Sequence, residues 1–466
     1  MKKYDLIVVG GGRASGLAIA AAKAGQSVAL IERDRLGGTC PNTGCVPSKL
    51  LIGYAEAARR VREAKRHFIQ ASIESIDLER IFQEVGDWVK GVDPRYEGRV
   101  TAVEGLDLYR GEGRFTSNKV VEVNGEELEG KTIVVGVGAK PRPVPFDGVW
   151  TNENIFPLEG SAPKSITVVG GGFIACELAN FFEAVGVETR LLVRGKQLLP
   201  VEDEEIGEIF QKEFTKNVPT SFETSITSLE KNEEGFSMEL TKADGSTESH
   251  QSEQVLFAIG RVPNTDRLGI ENTDLKLDRR GFLVVDENLQ TNVAGVYAAG
   301  DVAGRYQLQH VASYDIHYLR QRLLKGEEGP IDYGMVPHGV FTDPEVAAVG
   351  ATEKELQAAG TPYVKVVTDW LSSARAMASR LEYPRTKLLV SPEDYCILGC
   401  HLVGPDASTV IHEILPLMRV KNDVREVAET MHIHPALPEL FLEASVRAVQ
   451  AVSKYRAEKN ASGASS

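Results

Sequence analysis

A glycine-rich turn between a strand and a helix occurs twice in this chain of 466 residues. The first turn is GGGRASG at 10–16, after the apolar run 4–9, and the second is GGGFIA at 170–175, after the apolar run 165–169. Glycines let the backbone approach a pyrophosphate, whose charge the helix N-terminus stabilises. The repeat therefore predicts an α/β fold with two Rossmann-like dinucleotide-binding domains.

Carboxylates follow two predicted strands of this fold. Glu32 ends the second strand of the first copy, where an acidic side chain can bond the adenosine ribose. Asp301 ends the buried run 291–301, a position suited to a polyol hydroxyl. Both side chains are therefore predicted nucleotide ligands.

Two cysteines separated by four residues, Cys40 and Cys45, lie just past the first copy. Residues five apart in a straight α-helix are separated by about 7.5 Å of rise, whereas a disulfide needs Cα atoms about 4.4 to 6.8 Å apart. We therefore predict a distorted turn, to which Pro41 and Gly44 contribute. A helix N-terminus here would favour a thiolate. The segment indicates a redox disulfide, with two unpaired buried cysteines as the alternative.

Composition limits the class of protein. A net charge of −14 argues against nucleic-acid binding, and the locally basic run 59–66 is predicted to be a solvated helix face. No apolar run is long enough to cross a bilayer and no signal-peptide core follows Met1, so we expect no membrane partner and a cytoplasmic location. Five cysteines do not make a secreted disulfide framework. Cys396 and Cys400 lie in a strand-like run and are predicted to be inert.

Taken together, these segments closely resemble the class I pyridine nucleotide-disulfide oxidoreductases. These flavoproteins include dihydrolipoamide dehydrogenase, glutathione reductase and mercuric reductase. The resemblance covers about residues 4–450, and its most specific motif is GGTCPNTGCVPSK at 37–49. Further matches are FAIGRVPN at 257–264, the Gly300-Asp301 pair and MHIHPALPE at 431–439.

The resemblance implies a domain order. It adds a C-terminal α+β dimerisation domain to the two Rossmann-like domains, which would bind FAD and NAD(P). The expected boundaries are 1–147 for the first part of the FAD-binding domain with the redox disulfide, 148–262 for the NAD(P)-binding domain, 263–335 for the second part of the FAD-binding domain and 336–456 for the dimerisation domain. The polar residues 457–466 are predicted to form a disordered tail.

The resemblance also implies cofactor contacts. Gly170, Gly172 and Ala175 would hold the nicotinamide cofactor, and Lys49 and Glu177 would form an ion pair beside the flavin N5. The remaining expected cofactor-binding residues are Gly10, Gly12, Glu32, Thr39, Gly138, Gly260, Arg261 and Asp301. No metal is expected.

Catalytic roles follow from the same resemblance. Cys45 would be the thiolate held against the flavin, and Cys40 the outer thiol that exchanges with substrate. His434 would be the base that moves the thiol proton, and Glu439 would orient it. In the family this pair comes from the other subunit, so the resemblance implies a homodimer.

The choice of nicotinamide cofactor depends on the end of the second Rossmann strand. Val193 stands where an NAD enzyme wants a carboxylate, and Arg194 offers a cation to a 2′-phosphate. We therefore predict NADPH, with NADH as the alternative. The predicted activity transfers hydride from NADPH through FAD to the Cys40–Cys45 disulfide and on to a small or protein-bound disulfide.

Several other functions stay open at this point. A dihydrolipoamide dehydrogenase, oxidising a lipoyl-type dithiol with NAD+, is the main alternative, and LQHVA at 308–312 resembles the lipoamide enzymes. A mercuric reductase-like enzyme, a transhydrogenase or diaphorase, and a non-catalytic flavin-binding subunit are the others.

Overall fold

The computed structural model describes residues 1–463. The strands are, in chain order, β1 Lys2–Val9, β2 Val28–Glu32, β3 Leu106–Arg110, β4 Arg114–Ser117, β5 Val120–Val123, β6 Glu126–Val135, β7 Ala139–Pro141, β8 Ser165–Val169, β9 Glu188–Leu192, β10 Thr220–Ser221, β11 Thr224–Asn232, β12 Gly235–Lys242, β13 Thr247–Ser252, β14 Gln254–Phe257, β15 Arg261–Pro263, β16 Val296–Ala298, β17 His338–Val340, β18 Val346–Gly350, β19 Val364–Asp369, β20 Arg385–Val390 and β21 Ile397–Val403.

The α-helices are, in chain order, α1 Ser15–Lys23, α2 Thr39–Thr43, α3 Cys45–Glu63, α4 Leu78–Lys90, α5 Val92–Thr101, α6 Phe173–Ala184, α7 Glu204–Phe214, α8 Gln309–Lys325, α9 Glu353–Ala359, α10 Ala374–Met377, α11 Ala407–Val410, α12 Leu415–Val420, α13 Val424–Glu429 and α14 Glu439–Gly463. Short 3₁₀ helices occupy Ala64–His67, Ile270–Asn272, Gly300–Ala303 and Ile411–Glu413.

The chain divides into two compact units. The first unit comprises residues 1–51, 77–162 and 256–332, and the second comprises residues 52–76, 163–255 and 333–466. The second glycine-rich turn and the C-terminal region thus belong to one unit. The finer division into four segments stays a prediction.

The first unit is built on a seven-stranded sheet. Its order is β3-β2-β1-β6-β5-β4, with β16 also paired to β6, and the pairs β3-β2, β2-β1, β1-β6 and β6-β16 are parallel. The last four residues of β1, 6–9, are buried because both faces of a parallel sheet are covered. This part of the sheet positions the first glycine-rich turn at its carboxyl edge.

The second unit contains three sheets. The order β10-β9-β8-β14 forms the sheet that carries the second glycine-rich turn, and β11-β12-β13 forms an antiparallel sheet. The C-terminal region folds into an antiparallel sheet of order β17-β18-β21-β20-β19. Its hydrophobic core includes Trp370, Leu388, Leu402 and Phe441 of α14, each at most 2% exposed. The predicted α+β character of the C-terminal region is confirmed.

The prediction of a disordered tail over 457–466 is wrong for the residues that the structure describes. Helix α14 continues through Gly463, and residues 464–466 lie outside the described part of the chain. Ala457, Glu458 and Lys459 are good helix formers, and Lys454 pairs with Glu458 one turn later at 3.9 Å. A 25-residue helix therefore continues where composition alone indicated disorder.

Candidate active site

The cysteine segment has the distorted turn that its spacing predicts. Helix α2 ends at Thr43, helix α3 begins at Cys45, and Gly44 between them has non-helical backbone angles of φ −133° and ψ −118°. Cys40 and Cys45 therefore lie on different helices. The side chain of Cys40 is half-buried and that of Cys45 is exposed.

The two thiols interact directly. A hydrogen bond with Cys45 raises the pKa of the Cys40 thiol, burial raises it further, and the Arg13 guanidinium opposes both effects. Cys400 and Cys176 are fully buried, and burial raises the pKa of each thiol. Because a fully buried thiol cannot be reached by a substrate, these two are poor candidates for redox chemistry. Cys40 and Cys45 form the pair suited to thiol–disulfide exchange.

A cavity in the first unit brings together most of the predicted FAD-binding residues. Its lining includes Gly10, Gly12, Glu32, Thr39, Cys40, Gly138 and Asp301. Lys49, Gly260 and Arg261 are not part of this lining. Cys40 is the member of the cysteine pair that reaches the cavity wall.

The two predicted carboxylate ligands are held by different contacts. Glu32 accepts hydrogen bonds from the backbone N–H groups of Gly11 at 2.6 Å and Asp34 at 2.7 Å, and burial raises its pKa. Asp301 lies 3.0 Å from the Arg261 guanidinium, which opposes the increase in its pKa caused by burial. Arg261 therefore contacts a residue of the cavity lining without belonging to the lining itself.

The residues of this cavity fit an FAD molecule. Gly10 has φ +110°, and a Cβ there would overlap the Gly136 carbonyl oxygen. Two buried oxygens, Asn42 Oδ1 and Asn264 Oδ1, have no hydrogen-bond partner among the described residues, and both asparagines line the cavity. These features match the parts of FAD. Glycine backbone can approach the phosphates, carboxylates can bond the hydroxyl groups, and unpaired amide oxygens can accept hydrogen bonds from the polar edge of the flavin ring.

Asn42 and Asn264 were not singled out as site residues from the sequence. Both lie inside the family motifs at 37–49 and 257–264, whose predicted site residues do not include an asparagine. The available signal was an amide side chain inside an otherwise apolar or catalytic motif. Its orientation towards the cavity could not be obtained from spacing.

The second glycine-rich turn repeats the hydrogen bonding of the first. Gly10 N donates to Ile31 O at 2.8 Å. Gly170 N donates to Leu192 O at 2.9 Å. Ile31 and Leu192 are therefore equivalent residues of the two folds.

The residues that follow this pair differ in character. Glu32 follows Ile31, whereas Val193 follows Leu192. Val193 is 3% exposed, and a Cβ at Gly171 would lie 3.0 Å from its Cγ1. Arg194 comes next, and within residues 1–463 its exposed side chain has no hydrogen bond or ion pair. The second turn thus has an apolar side chain where the first has a carboxylate, and an arginine follows in both copies, Arg33 in the first and Arg194 in the second.

Helix α6 carries the remaining predicted residues of the second turn. Gly172 is its N-cap residue, Ala175 is fully buried, and Glu177 is 3% exposed. Glu177 Oε1 accepts a hydrogen bond from Phe341 N at 3.1 Å. Glu177 is therefore a buried carboxylate held by backbone from the C-terminal region.

His434 and Glu439 form the predicted pair in the second unit. His434 Nδ1 donates to Glu439 Oε1 at 2.7 Å, and Ala436 N donates to Glu439 Oε2 at 2.8 Å. The bond from His434 is the main cause of a lowered pKa for Glu439. The imidazole is 75% exposed, so Nε2 is available on the protein surface. Cys40 and Cys45 belong to the first unit.

Comparison with known protein families decides the class of this chain. The model described as pyridine nucleotide-disulphide oxidoreductase matches residues 4–315, and the model of the dimerisation domain of the same proteins matches residues 336–445. The chain belongs to this family. The predicted family, fold class and oxidoreductase activity are confirmed, and the enzyme is an FAD-dependent oxidoreductase that uses a pyridine nucleotide.

Individual relatives cover almost the whole oxidoreductase. Dihydrolipoyl dehydrogenase from Vibrio cholerae is 30% identical over 453 residues, 94% of each chain. Dihydrolipoyl dehydrogenase from Thermus scotoductus is 32% identical over 455 residues, 96% of this chain and 97% of the relative. The structure of the HOCl-induced flavoprotein disulfide reductase RclA from Escherichia coli aligns with a TM-score of 0.83 at 25% identity, over 95% of this chain and 99% of RclA.

Over residues 1–463, no helix combines the length and the apolar character needed to cross a bilayer.

Proposed function

We propose that this oxidoreductase transfers hydride from NADPH to FAD and uses the electrons to reduce a small or protein-bound disulfide through Cys40 and Cys45. The observation that carries the proposal is that Cys40 shares one cavity with Gly10, Glu32 and Asp301. A thiol pair at a dinucleotide site couples two-electron hydride chemistry to thiol–disulfide exchange.

The proposed reaction consumes NADPH, one proton and one disulfide, and it yields NADP+ and two thiols. FAD supplies the two-electron transfer between the nicotinamide and the cysteine pair. The Cys40 thiolate attacks a substrate sulfur, which forms a mixed disulfide and releases the first thiol. The Cys45 thiolate then attacks Cys40 Sγ, which closes the Cys40–Cys45 disulfide and releases the second thiol. Two electrons and protons return both cysteines to thiols.

His434 has the geometry for the proton transfers of this exchange. Its Nδ1 is engaged by Glu439, so the exposed Nε2 can take a thiol proton and return it to the departing sulfur. The family resemblance implies that this imidazole would lie beside the cysteines of the partner subunit. The match to the dimerisation domain supports a homodimeric active site.

The preference for NADPH rests on the contrast between the two turns. At position 193, a carboxylate would bond the ribose 2′-hydroxyl of NADH and would repel the 2′-phosphate of NADPH. This chain has the buried, uncharged Val193 at that position. Arg194 supplies an exposed cation beside it. These two residues favour NADPH over NADH.

A second candidate function is dihydrolipoamide oxidation with NAD+. The names of the relatives from V. cholerae and T. scotoductus favour it, whereas the name of RclA favours disulfide reduction. The same cysteine pair serves both reactions, which run in opposite directions. The substrate and the nicotinamide cofactor distinguish them.

Anaerobic titration of the purified holoenzyme with NADPH and with NADH tests the proposal. We expect a long-wavelength thiolate-to-flavin band after two electrons, formed faster with NADPH, and absent in Cys45→Ser. Turnover with lipoamide is then compared with turnover of other small disulfides. Loss of flavin colour without the band in the unaltered enzyme would exclude the cysteine relay, and a strong NADH preference would favour the lipoamide reaction.

A further inference from the structure

A buried arginine near the end of α3 contacts three charged or polar partners in the second unit. Arg59 is 7% exposed. Its Nη2 donates to Asn180 Oδ1 at 3.0 Å and to Glu183 Oε2 at 2.7 Å. Its Nε lies 3.7 Å from Asp343 Oδ2. One guanidinium thus binds α6 at two positions and approaches the segment that follows β17.

The same segment holds Glu177. Phe341 N donates to Glu177 Oε1 at 3.1 Å, and Asp343 N donates to Asn180 Oδ1 at 3.4 Å. Asn180 Oδ1 therefore accepts from both Arg59 and the backbone of Asp343. The two backbone bonds fix the segment 341–343 along one face of α6.

These contacts form a chain that ends at a buried carboxylate. Arg59 orients Asn180, and Asn180 with Asp343 fixes the segment whose Phe341 N–H binds Glu177. Glu177 is 3% exposed, so the direction of its carboxylate is set by such neighbours rather than by water. The hydrogen-bond acceptors of Arg59 on α6 are Asn180 and Glu183, which follow Glu177 along the helix.

We infer that Arg59 is a positioning residue for Glu177, acting through Asn180 and the segment 341–343. The inference rests on the proposed function in one respect, because it takes Glu177 as the carboxylate that the family resemblance implies beside the flavin N5, where the hydride from NADPH arrives. The planar guanidinium of Arg59 restrains the positions of several partner side chains at once, because its N–H groups have fixed directions.

Arg62 provides a matched control on the same helix. It is 39% exposed, whereas the Arg59 side chain is 8% exposed. Arg62 Nη1 contacts Glu183 O at 3.4 Å and Glu183 Oε1 at 3.9 Å. Its partners among the described residues do not include Asn180 or Asp343. Arg62→Met removes an arginine side chain from the same helix and leaves the contacts of Arg59 with Asn180 and Asp343 in place.

Amide hydrogen exchange of the holoenzyme tests the positioning itself. In Arg59→Met we expect the Phe341 and Asp343 amides to exchange at least about tenfold faster, because their acceptors are no longer held. Arg62→Met should leave both rates unchanged. Unchanged exchange in Arg59→Met, or the same increase in Arg62→Met, would overturn the inference.

A double-mutant cycle tests the route to Glu177. The rate constant for flavin reduction by NADPH is measured in Arg59→Met, Glu177→Gln and the double variant. We expect Arg59→Met to slow it about tenfold alone and less than about twofold in the Glu177→Gln background. Equal factors in both backgrounds would overturn the inference. No effect of Glu177→Gln alone would instead remove Glu177 from the proposed function.

Asn180→Ala serves if Arg59→Met does not fold. It keeps the pair between Arg59 and Glu183 and removes the acceptor shared with Asp343 N. The same faster exchange at Phe341 and the same dependence on Glu177 are expected. Normal exchange at Phe341 in a folded Asn180→Ala enzyme would contradict the inference.

Discussion

Glu32 and Val193 occupy equivalent positions in the two glycine-rich folds. Each directly follows the strand residue whose carbonyl binds the first glycine of its turn. Glu32 accepts a hydrogen bond from Gly11 N at 2.6 Å, whereas the buried Val193 side chain has no acceptor. The two turns therefore share one hydrogen-bonding pattern, and the first has a carboxylate acceptor where the second has a buried apolar side chain.

Arg194 directly follows Val193, and its substitution tests the proposed preference for NADPH. We expect Arg194→Leu to raise KM for NADPH by about 10- to 100-fold, which corresponds to roughly 1.4 to 2.7 kcal/mol from a charge-assisted phosphate contact. KM for NADH should stay unchanged, because NADH has no 2′-phosphate. Steady-state kinetics with both cofactors measure the ratio, with the exposed Lys231→Gln as control. An unaltered ratio in Arg194→Leu would refute the assignment.

The cysteine pair predicts a separation of two half-reactions. Cys40→Ser and Cys45→Ser should each lower disulfide reduction by at least about 10³-fold, because serine cannot form the mixed or internal disulfide. Reduction of the flavin by NADPH should persist in both variants. Stopped-flow and steady-state assays separate the two steps. Cys396→Ser, outside the site, should behave like the unaltered enzyme, and full turnover in Cys45→Ser would contradict the mechanism.

His434 is predicted to act in thiol exchange alone. His434→Gln should lower disulfide turnover by about 10²- to 10⁴-fold, the usual contribution of a general acid–base, and leave flavin reduction by NADPH intact. His412→Gln is the control, since His412 is exposed and donates a hydrogen bond from Nδ1 to Ser408 O. Equal losses in the two histidine variants would indicate a structural effect.

Gly10 is predicted to be essential for FAD binding. Alanine there would meet the Gly136 carbonyl at a positive φ of 110°, so the turn must shift away from the cavity. We expect Gly10→Ala to be purified largely without FAD, as measured by the ratio of flavin to protein absorbance. Gly53→Ala, in helix α3 with no atom within 4 Å of the new Cβ, should retain FAD.

Glu345 is predicted to make stability depend on pH. Burial raises its pKa to about 7, against the opposing hydrogen bond from Ser408 Oγ. A raised carboxyl pKa favours the folded state at low pH, so this contribution is complete below about pH 4.5 and is lost as pH rises through 7. The loss is up to about 3 kcal/mol between pH 5 and 8.

Thermal or urea unfolding across this range measures the effect. Glu345→Gln should show a smaller decline in stability from pH 5 to 8 than the unaltered enzyme. The exposed Glu230→Gln should follow the unaltered enzyme. A decline of the same size in Glu345→Gln would assign the pH dependence to other groups.

Local patterns were sufficient to predict the fold class and several residues of the cavity lining. Glycine turns, apolar strands and the spacing of Cys40 and Cys45 are contained in short stretches, so the distorted turn at Gly44 could be derived from helix geometry. The tail was wrongly predicted because helix α14 extends cooperatively into polar residues. Composition describes each residue separately and misses this extension.

Contacts between distant parts of the chain could not be derived in this way. Arg59 and Asn180 are 121 positions apart, and Phe341 and Glu177 are 164 apart. From the sequence, 59–66 read as a solvated basic helix face, yet Arg59 is buried. Only the fold brings these residues together, and no spacing rule connects them.

The single residue between α2 and α3 has a mechanical consequence. Cys40 lies in the five-residue helix α2, Cys45 begins the 19-residue helix α3, and Gly44 links the two helices. Rotation about the backbone bonds of Gly44 can change the distance between the two sulfur atoms without unwinding either helix. In the proposed reaction, a disulfide forms and breaks in every cycle. The backbone movement that this requires can be confined to Gly44, while the cavity residues Gly10 and Gly12 keep their positions.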